Sequence, residues 1–160
     1  MSTVTERYGA IPFTEYTLAN GLRVVLHEDR STAVVCLNIG YHVGSKNESE
    51  HRRGFAHLFE HLLFDGSRNV PRGEFDRLVT SAGGHDNAFT TEDITSYYDI
   101  LPSHELGLGL WLESDRMLEF ATTQFGLDTQ KSVVMEEKRE RYDNTPYGSM
   151  TIRLNRLAFT

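Results

Sequence analysis

The dipeptide Asn20-Gly21 lies between two β-rich runs, residues 13–18 and 22–28, and it limits the fold of this region more than any other feature. Asn-Gly readily adopts the positive φ angles that a two-residue turn between antiparallel strands requires. The sequence therefore predicts a β-hairpin. A third run, residues 33–42, is nearly continuous in apolar residues, which is typical of a central strand buried on both faces. We expect Cys36 in this run to fill the core, because free cysteine is among the most buried residue types.

The remaining segments carry helical or extended patterns in turn. The helical patterns cover residues 54–64, 71–82, 103–120, 127–142 and 147–160, and the extended patterns cover residues 85–90 and 94–101. Gly66 and Gly83 are placed to end the first two helices, and Ser103 is suited to cap the third. The predicted apolar side of the third helix consists of Leu106, Leu110, Trp111, Met117 and Leu118. Strands followed by helices, twice over, predict an α+β fold: a mostly antiparallel sheet with helices packed on one face.

Composition and charge exclude several classes of protein. The chain has 160 residues, with 16 Lys and Arg against 23 Asp and Glu, and its formal charge of −7 argues against nucleic-acid and membrane-surface binding. A single cysteine forms neither an intrachain disulfide nor a cysteine-only zinc site, so any metal must be held by histidine and carboxylate. The polar N-terminus lacks the apolar core of a signal peptide, and we expect a cytoplasmic protein. A removed signal would instead make it periplasmic or secreted.

The pattern His57-Leu-Phe-Glu60-His61 carries the strongest chemical signal in the chain. On a helix these three polar residues share one face, because they are three and four positions apart. Imidazoles at i and i+4 can reach one zinc ion, and Glu60 beside it can accept a proton from a metal-bound water. The alternative is a solvated helix face with chance histidines. Apolar residues cover the rest of this helix and are predicted to anchor it in the core: Phe55, Leu58, Phe59, Leu62 and Leu63.

A catalytic zinc site needs a third protein ligand, which the other histidines or the acidic fourth helix could supply. Val133, Val134 and Glu137 share a stripe of that helix, so Glu137 is predicted to lie on its buried side, where zinc would compensate the loss of solvent. Glu136 and Glu140 fall off this stripe. A salt bridge from Glu137 to an arginine is the alternative, with three candidates: Arg53, Arg72 and Arg77. The spacing of His85 and His104 does not point to a metal.

The segment from Gly54 to Phe64 resembles the inverted zinc motif of the insulinase/pitrilysin metallopeptidase family, the inverzincins. Other segments are similar to the same family: the hairpin at residues 20–25, the loop at 44–48, the paired strands at 83–90 and 95–98, and the helix at 133–139. The similarity extends over nearly the whole chain from about residue 13. The resemblance implies the sandwich of sheet and helices that these peptidases share. It also implies that residues 1–160 form a single zinc-binding peptidase domain, the N-terminal part of a longer multi-domain protein.

The resemblance assigns roles to individual residues. It makes His57 and His61 zinc ligands, Glu137 the third ligand and Glu60 the general base, with one Zn²⁺ per chain. Family members often carry a further glutamate seven positions before the third ligand, where this chain has Gln130. An amide there could tune the site from behind the ligands.

The resemblance also places substrate-binding residues on a strand. Asn87 and Ala88 would lie on an edge strand that pairs with the backbone of the substrate. Asn87 as a simple turn residue is the alternative.

The implied activity is zinc-dependent hydrolysis of peptide bonds in short or unfolded polypeptides, with Glu60 activating a zinc-bound water. Complete family members are far longer, so we expect the 160-residue chain alone to hold zinc and cleave poorly. The resemblance also allows a homodimer or a related partner subunit, without nucleic-acid or membrane partners. Two other functions stay open: a noncatalytic zinc-binding partner or scaffold subunit of a peptidase complex, and a zinc hydrolase that acts on non-peptide amides.

Overall fold

The computed structural model describes residues 4–8 and 11–158, and the chain divides into two compact units, residues 1–33 and 34–160. Each unit contains its own three-stranded antiparallel sheet. That residues 1–160 form one domain stays a prediction. None of the helices in the described part of the chain is both long and apolar enough to cross a bilayer.

The first unit is a meander of three strands, β1 (Val4–Tyr8), β2 (Ile11–Thr17) and β3 (Arg23–Leu26). The predicted hairpin is confirmed, since β2 and β3 pair antiparallel from Thr17 opposite Arg23. Gly21 in the connecting turn has a φ of +88°, a conformation that glycine adopts without steric cost. The sequence did not predict β1, because its polar residues lack the apolar alternation by which a half-buried strand is recognised.

The sheet of the second unit consists of β4 (Val34–Tyr41), β5 (His85–Thr90) and β6 (Thr95–Pro102), in the order β4-β6-β5. All of its pairs are antiparallel, as predicted. The prediction that β4 is a central strand buried on both faces is wrong. Within this sheet β6 is central, and β4 alternates between exposed and half-buried residues. Cys36 is therefore exposed and does not fill the core.

Five α-helices accompany this sheet, and each overlaps a predicted helix. Their bounds are α1 (Phe55–Leu62), α2 (Glu74–Ser81), α3 (Leu106–Leu118), α4 (Gln124–Lys138) and α5 (Ser149–Ala158). A π-helical segment, Arg139–Asp143, continues α4, and short 3₁₀ turns occupy Ser45–Asn47, Glu50–Arg52 and Ser103–Glu105. The predicted cap at Ser103 is wrong, because α3 begins after this last turn with no side-chain cap at Glu105. Thr123 does cap α4, its hydroxyl accepting from the Gly126 N–H.

Helices α1, α2 and α3 pack on one face of the β4-β6-β5 sheet, which confirms the predicted α+β arrangement. The core lies between this face and the helices, and its buried members are Val70, Phe75, Val79, Leu101 and Leu112. Gly109 on α3 allows the close approach, because a Cβ there would lie 2.4 Å from Leu37 and 2.8 Å from Leu101.

The predicted buried side of α3 is wrong. All five residues of its expected apolar side are exposed, Leu118 by 71%. The buried residues of the helix include Glu113, Asp115 and Arg116 instead. Glu113 and Arg116 form a two-pronged ion pair, and the Arg116 guanidinium lies 4.5–5.1 Å from the ring centres of Phe64, Phe75 and Tyr97. An amphipathic pattern places charged side chains in the solvent, because burying a charge costs free energy of desolvation. Here the ion pair and the contacts with the aromatic rings compensate that cost.

Candidate metal centre

Helix α1 brings His57 and His61 together on one face. Their Nε2 atoms are 3.2 Å apart, and both side chains are half-buried. An adjoining face carries Leu58 and Leu62, which are buried. Phe55 and Phe59, also expected to anchor the helix in the core, are 45% and 44% exposed. The helix is thus held by its leucines, and its histidines lie on the side that faces Glu137 of α4.

Helix α4 supplies Glu137 to the same point. Its Oε2 lies 3.5 Å from His57 Nε2, and its Oε1 lies 3.6 Å from His61 Nε2. Val134 beside it is half-buried while Val133 is exposed, so the predicted stripe is only partly buried. Glu136 and Glu140 are exposed, as the stripe indicated. Arg141 is the cation nearest to Glu137, at 3.8 Å, whereas Arg72 pairs with Asp65 and Arg77 with Glu74.

The two imidazole nitrogens and the Glu137 carboxylate have spacings close to those of a tetrahedral zinc site. Ligand atoms about 2.0–2.1 Å from one zinc ion at tetrahedral angles are about 3.3–3.4 Å apart. The two Nε2 atoms are 3.2 Å apart, and each lies 3.5–3.6 Å from one of the two Glu137 oxygens. With one donor atom taken from each residue, the three donors lie within 4.8 Å of one another. Glu137 Oε2 is buried without a hydrogen-bond partner among the described residues. A buried carboxylate oxygen in that condition fits a cation.

The electrostatics of His61 favour its neutral form. Burial lowers the pKa of His61, and the neighbouring His57 lowers it further, while Glu137, Glu60 and a hydrogen bond with Gln130 oppose the shift. A metal ligand must be the neutral imidazole. The environment therefore prepares this ring to bind a metal.

Gln130, two helical turns before Glu137 on α4, connects the site to a buried aspartate. Besides its contact with His61, its Nε2 donates to Asp65 Oδ1 at 3.4 Å. Asp65 is buried and pairs with Arg72 at 2.9 Å. Gly126 permits this packing, because a Cβ there would lie 2.1 Å from Asp65 Oδ2. Gln130 thus links α4 to the segment that follows α1, next to His61.

Glu60 lies on the same helix as the histidines but outside the cluster of three. Its carboxylate accepts a hydrogen bond from Thr90 Oγ1 at 2.5 Å. Thr90 is the last residue of β5, and sequence reasoning missed it because nothing in a strand pattern marks a lone threonine as a partner of a distant glutamate. The Glu60 side chain is half-buried beside the site. Its second carboxylate oxygen, Oε1, has no hydrogen bond to any described residue.

Strand β5 forms one edge of the β4-β6-β5 sheet. Asn87 is exposed on it and Ala88 is half-buried, so Asn87 belongs to a strand and is not a turn residue. The backbone N–H of Ala88 donates to the Asn87 side-chain oxygen at 2.8 Å. An exposed edge with a side-chain-capped N–H is a surface on which a further strand can pair.

The remaining histidines do not join the cluster. His85 is exposed and lies against Tyr98, with ring centres 6.0 Å apart. His104 is exposed beside Glu105. His27 contacts the Pro12 carbonyl oxygen at 2.7 Å. Among the described residues, the group that could hold a metal ion therefore consists of His57, His61 and Glu137.

Two histidines and a glutamate around one point, with a second glutamate on the histidine helix, are the side chains expected of an HxxEH-type metallopeptidase centre. Comparison with known proteins gives the family. Residues 23–159 match the model of the family described as Insulinase (Peptidase family M16), and the chain belongs to that family. Its membership supports a metallopeptidase-type function.

Individual relatives agree with this assignment. The chain is 37% identical to the zinc protease PqqE of Helicobacter pylori over 89% of its own length and 32% of the relative's. It is 29% identical to subunit 1 of the mitochondrial cytochrome b-c1 complex of Bos taurus, over 87% of the chain and 29% of that protein. A crystal structure of a protease from Helicobacter pylori superposes with a TM-score of 0.83 at 37% identity, covering 86% of this chain and 33% of the other. The chain spans about a third of the length of these relatives.

Proposed function

We propose that this chain carries the zinc centre of a metalloendopeptidase that hydrolyses peptide bonds in short or unfolded polypeptides. The observation that carries the proposal is the approach of His57, His61 and Glu137 to within 3.2–3.6 Å of one another, with Glu60 between the two histidines on the same helical turn. The likeness to proteins named as zinc proteases supports zinc as the metal, one ion per chain.

The donor set suits zinc, which prefers imidazole nitrogen and carboxylate oxygen at a tetrahedral site with one position left for water or substrate. When bound, zinc lowers the pKa of water and polarises a carbonyl group. Neutral His57 and His61 supply nitrogen lone pairs, and Glu137 supplies the negative charge that offsets part of the cation's charge. Gln130 fixes the orientation of His61 from behind.

Glu60 is the general base of the proposed reaction. Its carboxylate accepts the proton of the attacking water and afterwards returns that proton to the nitrogen of the leaving amine. The position of Glu60 suits this role, because it precedes His61 directly and therefore lies beside the ligands without belonging to them. The proton is conserved: water supplies it, Glu60 carries it, and the new amine receives it.

Strand β5 is the proposed binding surface for the substrate backbone. An extended peptide that pairs along the open edge would accept a hydrogen bond from the Ala88 N–H, after the Asn87 side chain swings aside. Pairing through the backbone selects peptides by their extended conformation more than by the identity of their side chains. This mode suits short or unfolded polypeptides.

The full-length protein is the expected active form, because this chain spans about a third of its relatives. We propose that a homodimer or a related partner subunit contributes further contacts to the substrate, as relatives include a subunit of a named complex. A noncatalytic zinc-binding subunit is the second candidate function, favoured by the same relative. The presence of all four site residues, His57, Glu60, His61 and Glu137, argues for the catalytic role. A cytoplasmic location stays a prediction.

The full-length protein provides the test. Its hydrolysis of a quenched fluorescent peptide should disappear after removal of metal with a chelator and return when zinc is added. Zinc that is retained without hydrolysis would support the noncatalytic subunit, and hydrolysis that survives chelation would contradict a metal-dependent reaction. A parallel assay with non-peptide amides separates a peptidase from a general amide hydrolase.

A further inference from the structure

The hydroxyl of Thr90 makes the one hydrogen bond to the side chain of Glu60 in the part of the chain that the structure describes. Its Oγ1 lies 2.5 Å from Glu60 Oε2. The two residues belong to different elements, Glu60 to α1 and Thr90 to the end of β5, and they are 30 positions apart in the sequence. The contact therefore depends on the packing of the helix against the sheet.

Thr90 is the donor in its hydrogen bond with Glu60, as the neighbouring hydroxyl groups show. Thr95 Oγ1 lies 3.0 Å from the Val43 carbonyl oxygen, which can only accept, so the hydroxyl proton of Thr95 is used there. Thr90 then has one proton and two neighbours: Thr95 Oγ1 at 3.4 Å and Glu60 Oε2 at 2.5 Å. The shorter contact to a carboxylate is the stronger one. Glu60 therefore accepts from Thr90, and its second oxygen stays available.

Thr90 also relates the general base to the strand on which the substrate is proposed to bind. It follows Ala88 by two positions and points to the same face of β5, where successive same-face residues are about 6.8 Å apart. Thr95, which pairs with Thr90 across the two strands, is only 3% exposed. Its burial keeps Thr90 at a fixed position in the sheet. The hydroxyl that holds Glu60 is thus rigidly spaced from the Ala88 N–H.

We infer that Thr90 is a positioning residue, which holds the Glu60 carboxylate at a fixed place relative to a peptide paired on β5. The inference rests on the proposed function for the role of Glu60. A free glutamate side chain has several rotamers, and only a subset places an oxygen where it can take a proton from the attacking water. One short hydrogen bond from a rigid strand selects among them. Its loss should lower the rate of the chemical step and leave binding of substrate and metal intact.

Threonine substitutions in the full-length protein test this inference. Thr90→Val keeps the shape of the side chain and removes the hydroxyl, whereas Thr90→Ser keeps the hydroxyl and removes a methyl group. For the quenched peptide we expect kcat to fall about 10- to 100-fold in Thr90→Val, with KM and zinc content changed less than about twofold. Thr90→Ser should keep kcat within about threefold of wild type. Thr80→Val, at an exposed position on α2, is the matched control and should behave like wild type.

A crystal structure of Thr90→Val gives a readout that does not depend on activity. We expect the Glu60 carboxylate to leave its wild-type position in this variant while His57, His61 and Glu137 stay in place. Wild-type kcat in Thr90→Val, or an equal loss of kcat in Thr90→Ser, would overturn the inference. An unmoved Glu60 in the crystal would overturn it as well. If the wild-type protein itself proves inactive yet Glu60 moves in Thr90→Val, the positioning stands and the proposed function falls.

Discussion

The side chain of Glu48 binds the first turn of the histidine helix from outside it: Glu48 Oε1 accepts a hydrogen bond from the backbone N–H of Ala56 at 2.8 Å. Its other oxygen accepts from the Gly54 N–H at 2.7 Å. Gly54, the N-cap residue of α1, has a φ of +90° and no side chain that could satisfy these donors. The Glu48 carboxylate in the preceding loop therefore acts as the cap of α1. Its negative charge also interacts favourably with the positive end of the helix dipole.

Replacing Glu48 should loosen α1 and the metal centre together. Glu48→Ala leaves two N–H groups of the first turn without an acceptor, and we expect the free energy of unfolding to fall by about 1–3 kcal/mol. Zinc affinity should also fall, because the helix that carries His57 and His61 frays at its start. Thermal unfolding and a zinc titration measure the two effects. Glu92→Ala, at an exposed position, is the control, and an equal effect of both substitutions would contradict the capping role.

Neighbouring glutamates on α4 test the third metal ligand. Glu137→Gln removes the charged oxygen that faces the two histidines, and we expect it to lower zinc affinity by more than about 100-fold. Glu136→Gln changes an exposed residue whose contact is an ion pair with Arg139, and it should leave the affinity unchanged. Competition against a chelating dye measures both constants. Equal affinities for the two variants would remove Glu137 from the site.

The sequence predicted the residues that the structure brings together at this site, because their roles leave local marks. Histidines four positions apart share a helix face, and Glu137 is separated from Glu136 and Glu140 by the period of its helix. Glu48 and Thr90 leave no such mark. Each acts on α1 from another element, and only the tertiary packing shows which polar side chain reaches which donor or acceptor.

A buried carboxyl on β6 should make stability depend on pH. Asp99 is fully buried, neither of its oxygens has a hydrogen-bond partner among the described residues, and burial together with the nearby Glu113 raises the pKa of Asp99 to about 8. Arg116 opposes this shift, and Asp86 adds to it. The folded protein then holds a proton that the unfolded chain releases above about pH 4. The free energy of unfolding should therefore fall as the pH rises from about 4 to about 8 and level off outside that window.

The variant Asp99→Asn isolates this contribution. An amide cannot ionise, so the variant should be more stable than wild type at pH 8 by at least about 1 kcal/mol, and the difference should shrink toward pH 4. Urea denaturation at several pH values measures it. Asp128→Asn, at an exposed position, should follow the wild-type curve. A larger advantage of Asp99→Asn at pH 4 than at pH 8 would reverse the sign and refute the assignment.

The fold departs from prediction where burial does not follow polarity. On α3 the charged residues Glu113 and Arg116 are buried as an ion pair, and Asp115 accepts three hydrogen bonds from Ser67 and Asn69. Leu110 and Trp111 are exposed on the opposite side. An amphipathic pattern considers each side chain separately, so it predicts that both members of a buried ion pair are exposed to solvent. The turn at Asn20-Gly21 and the antiparallel pairing of β2 with β3 were predictable because they depend on local chemistry.

The open edge of β5 makes a separate prediction about substrate binding. Ala88→Pro removes the backbone N–H that is proposed to pair with the substrate, and an edge strand tolerates proline where that N–H faces away from the sheet. We expect KM for the quenched peptide to rise about 10-fold or more, with zinc content unchanged. Asn87→Ala keeps the N–H and should retain substrate binding. An unchanged KM in Ala88→Pro would place the substrate elsewhere.

The most direct test of the central claim combines zinc content and peptide hydrolysis, measured on the full-length wild-type protein and on Glu60→Gln. We expect about one zinc per chain in both proteins, with turnover only in wild type, because the amide keeps the geometry of α1 and cannot accept the proton. Absence of zinc from both would contradict the metal site. Turnover that persists in Glu60→Gln would contradict Glu60 as the base.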